Sequence, residues 1–175
     1  MINIHDWLYN LIYSKKDKEI SNLNETIISL NNRIEGLLKD QNLIEPKSYG
    51  TINLKDTNDL LIKTFKCPVY LSDSFFNLTT KEEASKFSNE TKVQYREWKQ
   101  DNYDCDQFRF ALMGYWSQGL ISFAFGIAWS YNHAYNLMID NDRNIWIVEP
   151  QTNKYYTLDE IKNNTKYYPV RMIIM

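Results

Sequence analysis

The chain has few of the residues that form disulfides or metal sites, and few of those that interrupt helices and strands. Its 175 residues include two cysteines, two histidines, four prolines and five glycines. Two cysteines, Cys67 and Cys105, cannot build a framework of several disulfides, and no CxxC zinc motif is present. This cysteine usage favours a reducing compartment.

The chain also lacks a charge excess and a long apolar run. Its formal net charge is −2 and its isoelectric point is near 5.7, which excludes a strongly basic nucleic-acid-binding surface. The longest apolar run, Leu120 to Trp129, is about half of what a bilayer span requires. The first residues, MINIHDWLYNLIYSKKDK, contain no basic region followed by an apolar core. We therefore expect no nucleic-acid partner, no membrane span and no signal peptide.

A heptad pattern occupies the N-terminal part. Isoleucine and leucine alternate at spacings of three and four residues: Ile20, Leu23, Ile27, Leu30, Ile34 and Leu37. Isoleucine at position a with leucine at position d favours parallel two-stranded coiled coils. The pattern predicts a homo-oligomer through these residues, and the alternative is a helix that packs its apolar stripe on its own domain. Pro46 ends the pattern, so we assign residues 1–45 to a helical, coiled-coil segment and residues 46–175 to a globular domain.

The globular domain combines helices with paired strands. The sequence NLTTKEEASKF predicts a short helix capped by Thr79 or Thr80, and apolar spacing predicts a buried helix from Asp106 to Gln118, ended by Gly119. Two apolar stretches, HAYNLMID and IWIVEPQ, flank a turn rich in Asn and Asp and predict a β-hairpin. A buried helix followed by antiparallel strands indicates the α+β class.

Cys105 stands at the predicted start of the buried helix. A helix N-terminus favours a thiolate, because its free N–H groups and dipole stabilise an anion. Asp104 is a good N-cap, but Asp104 and Asp106 would oppose a negative sulfur. From its position alone, Cys105 is either a nucleophile or a small structural residue.

A cysteine nucleophile requires an imidazole base and a group that orients the base. His5 belongs to the N-terminal segment, which leaves His133 as the candidate base. If the hairpin loop is 141–143, then Asp140 faces Asn144. Because strand side chains alternate between faces, this register brings His133, Glu149 and Gln151 to one face. A two-residue loop would instead turn Glu149 and Gln151 away.

Three segments in this order resemble a known family. DCDQFRFAL, HAYNLMID and IWIVEPQT are similar to the papain-like cysteine protease domain of the Marasmius oreades agglutinin type, which also occurs in bacterial and bacteriophage proteins and belongs to the transglutaminase-like superfamily. The resemblance covers roughly residues 49–157 and excludes the heptads. It implies Cys105 as nucleophile, His133 as general base and then acid, Glu149 as the orienting carboxylate and Gln151 as an accessory polar group.

The resemblance also sets the range of functions. It implies a cysteine peptidase acting on a peptide or protein substrate, at a cytoplasmic or virion-associated location, and it makes Ca²⁺ a possible cofactor. Asp101, Asp104 and Asp106 are the oxygen donors that Ca²⁺ could use. Two positions depart from the family pattern, Arg109 where a small residue is usual and Asn132 where glycine is common. They favour an alternative, in which an idle papain-like module acts as an oligomeric structural or interaction protein, possibly encoded by a phage.

Overall fold

The computed structural model describes residues 15–30 and 44–175. The chain divides into two compact units, Met1–Asn42 and Leu43–Met175. No helix within the described ranges is long and apolar enough to span a membrane.

Residues 15–30 are helical and form helix α1 of the first unit. The predicted heptad positions Ile34 and Leu37, and also His5, lie outside the described residues. Within α1 the heptad side chains are between 51% and 62% exposed: Ile20, Leu23, Ile27 and Leu30. The predicted N-terminal helix is therefore confirmed, whereas its pairing with a second copy stays a prediction.

The second unit contains the remaining elements. Its helices are α2 (Leu54–Phe65), α3 (Lys81–Glu90), α4 (Cys105–Trp116) and α5 (Leu158–Ile161), with a 3₁₀ turn at Val93–Tyr95. Its strands are β1 (Gly50–Asn53), β2 (Val69–Tyr70), β3 (Phe75–Leu78), β4 (Phe125–Trp129), β5 (Ala134–Ile139), β6 (Ile145–Glu149), β7 (Lys154–Tyr156) and β8 (Met172–Ile174).

One six-stranded sheet organises this unit. Its strand order is β2-β8-β4-β5-β6-β7, and only the β2–β8 pair is parallel. Strands β1 and β3 form a separate antiparallel pair. The α+β prediction is confirmed, and the helix that begins at Cys105 packs on this mostly antiparallel sheet.

The helices begin where the sequence offers capping side chains. Thr80 caps α3 by accepting a hydrogen bond from the Glu83 N–H at 3.2 Å, which confirms one of the two predicted caps. Asn53 caps α2 in the same way, by accepting a hydrogen bond from the Asp56 N–H.

Helix α4 ends two residues earlier than predicted, at Trp116. Gly119 lies beyond the end of the helix, and a glycine is required at this position for a reason other than helix termination. The Glu45 carboxylate accepts a hydrogen bond from the Leu120 N–H at 2.7 Å, and a Cβ on Gly119 would overlap that carboxylate.

The hairpin formed by β5 and β6 has the predicted register. Asn136 pairs with Val148 and Ile139 pairs with Ile145, so the loop is the three residues 141–143. Arg143 adopts a left-handed conformation with φ of 65°, which is typical of the last position in a three-residue hairpin loop. This loop length brings His133 and Glu149 to the same face of the sheet.

Apolar clusters cover both faces of the sheet. One face packs against α4 through Phe108, Leu112, Trp116, Phe125, Met138 and Val148. The other packs Leu137, Ile139 and Ile147 against α2, with Tyr135 and Tyr167 in the same cluster. Cys67 is buried in this second cluster, and burial raises the pKa of its thiol.

Candidate active site

Cys105 is the first residue of α4, directly after the N-cap Asp104. The Asp104 carboxylate accepts a hydrogen bond from the Asp106 N–H at 3.0 Å, and the Gln107 side chain accepts one from the Asp104 N–H at 3.1 Å. This capping box fixes the first helical turn, and with it the position of the thiol.

Opposing influences act on the half-buried Cys105 thiol. Burial raises its pKa, and the charges of Asp106 and Asp104 raise it further. The Ala134 backbone and the charge of Arg109 lower the pKa of Cys105, but the net direction is upward. The opposition expected from the aspartates is therefore present. Because the Ala134 backbone acts on the thiol, Cys105 lies close to the residue that follows His133.

His133 and Glu149 form a buried pair on the face predicted from the hairpin register. Nε2 of His133 lies 2.8 Å from Oε2 of Glu149, and both side chains are almost completely buried. A carboxylate can only accept a hydrogen bond, so Nε2 carries the proton. The second ring nitrogen, Nδ1, is then the basic one in the neutral imidazole.

Two further donors converge on the same carboxylate oxygen. Lys166 Nζ lies 2.9 Å and the Tyr167 hydroxyl 2.7 Å from Glu149 Oε2. Burial alone would raise the pKa of Glu149, but the hydrogen bonds and charge of His133, together with Lys166 and Tyr167, lower it to about 2. Glu149 is therefore a carboxylate throughout the neutral range.

Sequence reasoning did not identify Lys166 and Tyr167. They follow β7 and α5 in a polar stretch, NNTKYYP, that carries no motif. The only signal was the apolar strand around Glu149, which required some partner for a buried charge. That requirement predicts that cations or hydroxyls lie nearby, but not where in the chain they occur.

Gln151 lies in the turn after β6 and is half-buried. Its backbone N–H donates a hydrogen bond to Glu149 Oε1 at 3.3 Å. The Gln151 main chain therefore lies at the site. It binds Oε1 of Glu149, whereas His133 binds Oε2.

The two residues that depart from the family pattern, Arg109 and Asn132, bind other residues around the site. The Arg109 side chain is buried, with its guanidinium 3.7 Å from the centre of the Trp129 ring and Nη2 3.0 Å from Asp106 Oδ1. The Asn132 amide donates a hydrogen bond to the Thr165 carbonyl oxygen at 3.2 Å. Both side chains therefore make structural contacts with neighbouring residues around the site.

Asn136 has a structural role. Its amide nitrogen donates to the carbonyl oxygens of Arg109 and Gly126, each at 3.2 Å, and the residue is fully buried. It links α4 to the sheet on the face opposite His133.

The aspartates before α4 do not assemble a metal centre. Asp104 serves as the helix cap and Asp106 pairs with Arg109. Within residues 15–30 and 44–175, no three carboxylate, imidazole or thiol side chains are grouped as metal ligands would be. The possible Ca²⁺ cofactor stays a prediction, and we derive no chemical step through it.

Comparisons with known proteins identify the fold. No protein-family model matches the chain, and no curated protein matches its sequence. Among solved structures, PSL1a in complex with E64 is similar, with a TM-score of 0.59 and 16% identity, over 71% of this chain and 50% of that chain.

A second similar structure is Polyporus squamosus lectin bound to the human-type influenza-binding epitope Neu5Acα2-6Galβ1-4GlcNAc. Its TM-score is 0.59 at 17% identity, over 71% of this chain and 49% of that chain. The chain thus spans about half the length of these proteins. PSL1a has a papain-like cysteine protease-like domain, so the second unit has a papain-like α+β fold.

Proposed function

We propose that this protein is a cysteine hydrolase of the peptidase type, with Cys105 as nucleophile, His133 as base and Glu149 as orienting group. The observation that carries the proposal is the buried hydrogen bond of 2.8 Å between His133 and Glu149, in a structure that also holds a thiol at the N-terminus of α4, close to the Ala134 backbone. A base held by a carboxylate and adjacent to a thiol is the arrangement that nucleophilic cysteine catalysis requires.

The chemistry follows from the tautomer of the imidazole. Nδ1 of His133 takes the thiol proton, and the sulfur of Cys105 attacks the substrate carbonyl carbon to form a tetrahedral oxyanion. His133 then returns the proton to the leaving amine as the C–N bond breaks, which leaves an acyl-enzyme. Water, deprotonated by His133, attacks this thioester and releases the acid and the free thiol.

The oxyanion needs hydrogen-bond donors at the place where its charge develops. The Cys105 N–H, in the first turn of α4, is one such donor. A peptide or isopeptide bond fits this chemistry, and the complex of the similarly folded PSL1a with E64 supports a peptide-like ligand for this fold.

The proposal is tested by the alkylation rate of Cys105 against pH, followed by peptide mass spectrometry with buried Cys67 as the internal reference. Wild type and His133→Ala are compared, each with Ca²⁺ and with a chelator, because the family resemblance implies calcium. We expect wild-type Cys105 to react well below pH 8 and His133→Ala to lose that reactivity. Equal profiles for the two proteins would remove His133 from the mechanism.

A second function is favoured by two observations. Burial and the neighbouring aspartates raise the pKa of Cys105, and α1 exposes an apolar heptad stripe. An idle papain-like module that assembles through α1 would show both features. This second function predicts that Cys105 is alkylated slowly in every condition and that the protein forms a homo-oligomer.

A further inference from the structure

One short segment, Thr165–Tyr167, contacts both flanks of His133. Its three successive carbonyl oxygens each accept a side-chain hydrogen bond from the chain around the histidine. The donors are Asn132 Nδ2 to Thr165 at 3.2 Å, Ser130 Oγ to Lys166 at 2.6 Å, and the Tyr135 hydroxyl to Tyr167 at 2.8 Å. The segment is thereby fixed to the loop and strand that carry the base.

The side chains of the same segment reach the carboxylate partner of the base. Lys166 Nζ and the Tyr167 hydroxyl donate to Glu149 Oε2, the oxygen that also receives His133 Nε2. Three donors therefore share one oxygen, and one of them is a permanent cation. Lys166 is about half exposed, so its charge is partly solvated, whereas Glu149 is buried.

The charge of Lys166 has a direct consequence for the base. A buried carboxylate with no other cation nearby stabilises the imidazolium form of a histidine that is hydrogen-bonded to it. An imidazole that is already protonated cannot accept the proton of a neutral thiol, or that of the water that attacks the acyl-enzyme. An ammonium group on the same oxygen offsets the negative charge and makes the neutral imidazole accessible.

We propose that Lys166 is a positioning residue that tunes the base, because its ammonium offsets the charge of Glu149 so that His133 can be neutral when a substrate is bound. Tyr167 holds the geometry and carries no charge, so the two side chains have separable roles. This inference rests on the proposed function, since the base matters only where Cys105 is a nucleophile.

Few other charged or titratable groups surround the pair. Tyr135 stacks on the His133 ring at 6.1 Å, Tyr167 meets its edge at 5.5 Å, and Tyr156 packs against Tyr167 at 5.6 Å. Lys154, opposite Glu149 on β7, is exposed. Close to Ala134 lies Cys105, whose thiol is under the influence of Asp104, Asp106 and Arg109. Among these groups, Lys166 is the cation in direct contact with Glu149.

The experiment measures two quantities in full-length wild type, Lys166→Met and Lys166→Arg. The first is the titration midpoint of the His133 ring resonances by NMR, assigned with His133→Ala. The second is the pH midpoint of Cys105 alkylation. We expect Lys166→Met to raise the His133 midpoint by about half a pH unit or more and to lower the alkylation midpoint, since imidazolium favours the thiolate. Lys166→Arg keeps the charge and is expected to resemble wild type.

Each result has a distinct meaning. Unchanged His133 midpoints in both variants, or equal changes in Met and Arg, would overturn the charge role of Lys166. Identical alkylation profiles for wild type and His133→Ala would instead reject the proposed function, whatever the NMR titration shows. Lys154→Met is the matched control, because it removes a lysine next to Glu149 that makes no hydrogen bond to it.

Discussion

The guanidinium of Arg109 lies 3.7 Å from the centre of the Trp129 ring, one helical turn after Cys105. Its Nη2 pairs with Asp106 at 3.0 Å, but its Nε and Nη1 atoms are buried and find no acceptor in the described part of the chain. Burial lowers the pKa of Arg109. A buried charge with an incomplete set of hydrogen bonds destabilises the fold. The position of this charge beside the thiol therefore suggests that Arg109 has a functional role.

We therefore expect Arg109→Met to affect reactivity more than stability. Arg109 lowers the pKa of Cys105, so its removal should raise the alkylation midpoint of the thiol, by up to about one pH unit. Methionine fills a similar volume without a charge to desolvate, so unfolding in urea should be unchanged or require more urea. Alkylation profiles and urea titrations measure the two effects.

The control for Arg109→Met is Lys162→Met, which removes an exposed cation paired with Asp159. It should change neither quantity. An alkylation midpoint that stays at the wild-type pH in Arg109→Met would show that the guanidinium does not act on the thiol.

The base and its orienting group should differ in how much they contribute. His133→Ala removes the proton acceptor, while Glu149→Ala removes only the group that fixes the ring and its tautomer. The rate of Cys105 alkylation near pH 7 should fall in both variants, with the larger loss in His133→Ala. An equal or larger loss in Glu149→Ala would mean that the carboxylate does more than orient the imidazole.

The decrease in the free energy of unfolding at acidic pH should depend on Glu149. Its pKa is about 2 in the folded protein against 4.5 for the free side chain, so the unfolded chain takes up the proton first. The stabilisation is therefore present above about pH 4.5 and is lost as the pH falls toward 2. Wild type should lose unfolding free energy over this window more steeply than Glu149→Gln, as measured by urea unfolding at a series of pH values.

Asp159→Asn is the matched control for this titration, because Asp159 forms only an exposed ion pair with Lys162. Its pH dependence should follow that of wild type. Parallel curves for wild type and Glu149→Gln would show that Glu149 titrates alike in the folded and unfolded states.

Local patterns predicted the parts of the site that depend on short-range geometry. The sequence left two loop lengths open for the hairpin, and the structure has the three-residue loop. With that loop, the two-residue period of a strand fixes which side chains share a face. His133 and Glu149 could be matched for this reason, although they are sixteen residues apart. The N-cap of α4 was recognisable because capping depends on neighbours in sequence.

The remaining parts of the site depend on where distant segments pack. Lys166 and Tyr167 reach Glu149 only because the chain after α5 returns across the sheet toward β8. No spacing within the sequence encodes that return. The burial of the Arg109 side chain could not be predicted from the sequence either, because an arginine on an amphipathic helix ordinarily extends to solvent. Here the Trp129 ring covers the side chain.

The apolar stripe of α1 should determine the oligomeric state. Leu23 and Ile27 are 62% and 51% exposed, at consecutive d and a positions of the heptads. In the full-length protein, the double variant Leu23→Glu and Ile27→Glu places charges in a coiled-coil seam and should convert a dimer or trimer to a monomer by light scattering. Ser29→Glu, at a position off the seam, is the control and should leave the mass unchanged. A wild-type protein that is already monomeric at the same concentrations would reject assembly through α1, because the variant would have no oligomer to dissociate.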